Sequence, residues 1–88
     1  MFVMTEAAGG LLTRLLNESD APAGTAIRIV FEHQSLRSKI DSVRPGDQVF
    51  AHDGRKVLIF DQGVSEVLAT GVLDVEESDR GAKLVIVH

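Results

Sequence analysis

The chain has 88 residues, no cysteine and a formal net charge of −4, with 44% hydrophobic and 25% charged residues. That length holds one domain with a single thin core, and the composition is that of a folded chain rather than a disordered one. Without cysteine, disulfides, thiolate metal sites and cysteine nucleophiles are excluded within these residues.

In chain order, Thr5 is a good N-cap, with Glu6 in the first turn where the helix dipole favours negative charge. Ala8, Leu11, Leu12, Leu15 and Leu16 recur at amphipathic spacing, which predicts a helix ending near Ser19, ahead of Pro22 and Gly24. Gly9 and Gly10 lie inside that helix. They read as points of close helix–sheet packing, because a phosphate cradle would need its glycines in a loop before the helix. Residues Thr25 to His33 read as a strand with Ile27, Ile29 and Phe31 on one face and Arg28, Val30 and Glu32 on the other. Leu36 to Ser42 is a short, mostly polar second strand, and Arg44-Pro45-Gly46-Asp47 a turn.

Gln48 to His52 and Lys56 to Phe60 flank Asp53-Gly54, a pair suited to a type I′ hairpin turn. Asp61 caps a short helix through Ala69 with Val64, Val67 and Leu68 inward, and Gly71 is placed to end it in the left-handed conformation. Val72 to Glu76, with Leu73 and Val75 inward, and Lys83 to Val87, with Leu84 and Ile86 on one face, are strands joined by the turn Ser78-Asp79-Arg80-Gly81. These elements predict one α+β domain over residues 1–88, a small mixed or antiparallel β-sheet packed with two helices on one side.

The order and spacing of several pieces resemble the A-type iron–sulfur carrier, or HesB-like, family. Thr5-Glu6-Ala7-Ala8 opens the first helix and Leu15-Leu16 closes it; the strand Thr25-Ala26-Ile27-Arg28-Ile29 follows. Pro45-Gly46-Asp47 leads into the Asp53-Gly54 hairpin, Val57-Leu58-Ile59 precedes the short helix, and Gly71-Val72-Leu73-Asp74-Val75 follows it. The resemblance covers nearly the whole chain and implies the HesB-like fold and a link to iron–sulfur cluster biogenesis. Cluster-carrying members resemble one another in a glycine-flanked cysteine after the second main strand and a Cys-Gly-Cys tail. Here the first region reads Glu32-His33-Gln34-Ser35-Leu36-Arg37-Ser38-Lys39, without cysteine or glycine, and the sequence ends at His88 where the tail would begin. None of the family's ligand residues carries over, and the resemblance implies a cysteine-less, truncated branch that holds no cluster on cysteine and has no cofactor of its own.

The remaining borderline metal ligands are His33, His52 and His88. Imidazole with carboxylates suits zinc, iron or copper, so His33 and His52 with acidic neighbours form one candidate site; the other reading is solvated histidines near strand ends. Glu32 and His33 point to opposite strand faces and cannot chelate together. Catalysis has little support. Ser35 and Ser38 lie near His33 with no strained nucleophile turn, and Asp74 and Glu76 share what reads as a solvated strand face. The expectation is a non-enzymatic protein.

The nine Lys and Arg are scattered, with Asp41 inside the densest group of Arg37, Lys39 and Arg44, which argues against nucleic acid as a partner. No stretch is long and apolar enough to cross a membrane, and the Met1-Phe2-Val3-Met4 start has no basic leader, so a cytoplasmic location is expected. Val30, Val85 and Val87 on an outer sheet face form a surface for a homo-oligomer or protein partner, unless Met1 to Met4 covers it.

Overall fold

A computed structural model describes residues 1–87 in nine elements: β1 (Val3–Met4), α1 (Glu6–Glu18), β2 (Thr25–Glu32), β3 (Ser35–Ser42), β4 (Gln48–His52), β5 (Arg55–Phe60), α2 (Gln62–Val67), β6 (Val72–Ser78) and β7 (Gly81–Val87). Both helices start where the sequence predicts. The Thr5 hydroxyl accepts a bond from the Ala8 N–H at 3.1 Å, and the Asp61 carboxylate accepts one from the Val64 N–H at 2.9 Å. Each side chain satisfies a helix N–H that has no partner within the helix.

The strands form two mixed sheets rather than one. In the three-stranded sheet, ordered β1-β6-β7, β1 runs parallel to β6 and β6 pairs antiparallel with β7. The four-stranded sheet is ordered β3-β2-β5-β4, with a parallel β2–β5 pair at its centre and an antiparallel hairpin on each side. Central β5 is the one strand buried at four successive residues to its end, Val57, Leu58, Ile59 and Phe60, as expected of a strand covered on both faces.

The core joins Ala8, Leu12 and Leu16 of α1 to Ile27 and Ile29 of β2, Leu58 and Phe60 of β5, Val64, Leu68 and Leu73. Phe2, Phe50 and Phe60 meet as an aromatic trio with ring centroids 5.2–5.4 Å apart. It fastens the start of the chain, whose β1 belongs to the smaller sheet, to β4 and β5 of the larger one. The Thr5 hydroxyl also donates to Asp74 at 2.9 Å, so the α1 cap is tied to β6 and Asp74 serves packing rather than an open acidic face.

Several expectations are corrected. The strand expected through His33 ends at Glu32, because His33 and Gln34, at φ of 50° and 63°, form a tight two-residue turn into β3. Phe31 stands outside the core, half exposed, and Val67 and Leu15 are likewise exposed. Arg28, expected on the open face, is 4% exposed. Gly71 is not in the left-handed conformation: α2 stops earlier, at Val67, and its end is closed by turns in which the Leu68 N–H donates to Val64 and the Gly71 N–H to Leu68. Val30 belongs to the larger sheet and Val85 and Val87 to the smaller, so they share no sheet face. The Asp53-Gly54 turn is as predicted, with φ of 50° and 82° as type I′ requires.

Leu12 is fully buried on α1 whereas Leu15 is 37% exposed. Urea unfolding is therefore expected to show Leu12→Ala costing about 2–5 kcal/mol and Leu15→Ala changing stability by no more than about 0.5 kcal/mol.

Candidate functional site

Three places concentrate polar chemistry. The first is Arg28, which sequence reading assigned to an open face. From the middle of β2 its Nε donates to Asp41 at 2.9 Å, Nη1 and Nη2 donate to the two Asp47 oxygens at 2.9 and 2.6 Å, and Nη2 also donates to the Ser42 carbonyl at 3.0 Å. Asp41 lies on β3, directly opposite Ala26 of β2, and Asp47 ends the 43–47 connection to β4. The Arg44 N–H closes on Asp47 at 2.7 Å and the Arg44 side chain on Asp41 at 2.8 Å.

Hydrogen bonds from Arg28 first, and from the Arg44 N–H second, hold the Asp47 carboxyl at about 2, below its usual 3.8. The Asp41 carboxyl is also lowered, first by the Ser42 N–H and then by Arg28. Arg28 itself is raised, mainly by Asp47. Four of the five guanidinium donors are committed to these partners, so Arg28 has little left for a substrate anion and its part is to hold the chain together.

The second place is the β2–β3 turn, where the resemblance implies a cysteine-bearing loop. The chain instead reverses in two residues, His33 and Gln34, with Glu32 paired to Ser35. Glu32, His33 and Gln34 are exposed, and His33 belongs to no group of three or more metal-capable side chains among the described residues. An iron–sulfur cluster does not fit here: the turn has neither thiolates nor the loop length to wrap a cluster.

The third place surrounds His52, the last residue of β4, whose imidazole packs against Gly9 of α1. Its Nε2 lies 3.4 Å from an Asp53 oxygen, and Glu6 of α1 completes a group whose ligand atoms all lie within 4.8 Å of one another. His33 and His52 are thus not brought into one group, while Glu6 and Asp53 join His52. The sequence carried no signal for Glu6, because helix-dipole preference alone explains an acid in the first turn. His88 lies outside the described residues. Gly9 makes the close helix–sheet contact expected of it, whereas Gly10 faces open space.

Between the sheets lies an open apolar hollow of about 130 Å³, lined mainly by Ile29, Leu36, Leu73, Leu84 and Ile86. It contains no histidine or carboxylate, and no acid–base pair faces it.

Two mixed sheets with this strand order and two helices define the HesB-like α+β fold. Its neighbours among solved structures are IscA with a [2Fe-2S] cluster (20% identity, 100% of this chain and 85% of that one, TM-score 0.68) and Escherichia coli SufA, involved in biosynthesis of iron–sulfur clusters (19% identity, 99% and 84%, TM-score 0.73). A protein from Aquifex aeolicus also matches, at 22% identity over 99% of this chain and 90% of that one, with a TM-score of 0.68. No family model and no curated protein sequence matches the chain. The fold expected from the resemblance is the fold observed.

Because Asp47 is held below its ordinary value, the folded state takes up its proton less readily than the unfolded state. Its stabilising contribution is complete above the ordinary carboxylate range and is lost as pH falls from about 4 towards 2. Acid titration of stability should show this loss, with Asp41 adding to it in the same direction. Asp47→Asn should lower stability at neutral pH and flatten the acid limb; an unchanged limb in that variant would contradict the assignment.

Proposed function

We propose that this chain is a cysteine-free, non-enzymatic domain of the HesB-like fold that acts in the cytoplasm as an accessory or interaction protein of iron–sulfur cluster biogenesis. The observation that carries this reading is the replacement of a cluster-binding loop by the two-residue His33-Gln34 turn within a fold matching IscA and SufA over 99–100% of this chain. The structural likeness supports the biological process. The donor chemistry argues that these 88 residues do not carry the cluster, because they hold no thiolate.

The non-enzymatic reading is supported by the hollow between the sheets, which lacks acid–base groups, and by Arg28, whose donors are mostly used internally. Protein partners, including a second copy of the chain, are favoured by exposed apolar residues on the larger sheet. Phe31 at the end of β2, Leu36 and Ile40 on the edge strand β3 and Val49 on the opposite edge strand β4 are 37–47% exposed. Edge strands with apolar side chains are a common route to pairing with another chain.

Anaerobic reconstitution with iron and sulfide is expected to give a colourless protein without stoichiometric cluster absorbance. Cluster absorbance at one per chain or per dimer would end this reading. Affinity capture from anaerobic extracts is expected to recover a cysteine-bearing assembly protein, and sizing by light scattering tests the homo-oligomer directly.

A further inference from the structure

We propose that Glu6, His52 and Asp53 form a binding site for one divalent transition-metal ion of the zinc type, with three protein ligands and an open coordination position. The site lies where the first turn of α1 meets the end of the β4–β5 hairpin, on different elements from the β2–β3 turn. It does not depend on any role in iron–sulfur assembly, so its failure leaves that reading untouched.

Three observations converge. The donor set is one imidazole and two carboxylates, which suits zinc and similar ions and neutralises a dication. The spacing is that of ligands: His52 Nε2 and the Asp53 oxygen are 3.4 Å apart. Two atoms bound at about 2.0–2.1 Å to a tetrahedral ion stand about 3.4 Å apart, whereas a charge-assisted hydrogen bond closes to about 2.7–2.9 Å. Glu6 is exposed and already within 4.8 Å of the other two donors, so a change of side-chain torsion completes the triad.

The third observation is the setting of the imidazole. Gly9 is buried inside α1, and a Cβ at that position would overlap the Nδ1 edge of the His52 ring. A glycine inside a helix costs about 1 kcal/mol relative to alanine. Here it lets the Nδ1 edge of the ring come close to the helix at Gly9, while Nε2 lies towards Asp53. A ligand held on rigid elements in this way is presented to an ion rather than left to rotate in solvent.

Asp53 tolerates a clean test, since an Asn-Gly pair is as well suited to the type I′ turn as Asp-Gly. Metal-free protein is titrated with Zn²⁺ by calorimetry and with Co²⁺ by visible absorbance, while the His52 ring is followed by NMR. The expected result is one ion per chain with His52 ring resonances shifted on binding. Asp53→Asn, Glu6→Gln and His52→Gln should each weaken binding by about tenfold or more, and His33→Gln should leave it unchanged. Gly9→Ala should also weaken it by displacing the ring. The proposal is overturned if the protein takes up no Zn²⁺ at micromolar concentration. It is equally overturned if Asp53→Asn and His52→Gln, shown to be folded by their NMR spectra, bind as the parent does.

Discussion

The guanidinium of Arg28 is the interaction on which the larger sheet depends. With strands ordered β3-β2-β5-β4, the segment from β3 to β4 connects opposite edges of the sheet and must pass across the two strands between them. Residues 43–47 are all the chain available for that passage. Arg28 rises from one of the strands being crossed and grips both ends of the connection, Ser42 and Asp41 at its start and Asp47 at its finish. A buried cation without partners would be strongly destabilising. Held by two carboxylates and a carbonyl, it becomes a clasp of fixed geometry.

The consequences of that clasp reach the His52 cluster. Asp47 immediately precedes β4, so fixing it fixes where β4 begins, and β4 carries His52 to the edge of α1. The Asp53-Gly54 turn then places Asp53 beside the ring, and the Thr5 cap, tied to Asp74 of the other sheet, places Glu6. A group of three ligands is thus assembled from a helix start and a hairpin end by contacts that lie outside it. The aromatic trio of Phe2, Phe50 and Phe60 packs on the same strand, Phe50 standing two residues before His52.

The fold and the chemistry of this protein point in different directions. The architecture matches IscA and SufA from end to end of the chain, yet the segment that resemblance marks for a cysteine is a hairpin turn whose side chains are exposed and include no thiolate. Folds tolerate such exchanges because a loop at the tip of a hairpin contributes little to the core. Here the core is made by residues of α1, β2 and β5 together with Val64, Leu68 and Leu73, none of which lies in the turn.

The sequence by itself determined the local structure. Thr5 and Asp61 marked the helix starts, the Asp53-Gly54 pair marked a turn that only positive φ can make, and the α1 stripe at Ala8, Leu12 and Leu16 marked the core. These are readable because capping, turn geometry and periodicity act over a few neighbouring residues. The tertiary structure alone decided the rest. Alternation places Arg28 opposite Ile27 and Ile29 but does not say that a crossing connection covers that face. Nor do apolar residues at strand spacing say whether β7 joins β2 in one sheet or β6 in another. Glu6 and His52 are 46 positions apart (52 − 6), and only the packing of α1 on β4, permitted by the missing side chain of Gly9, brings them within reach of one ion.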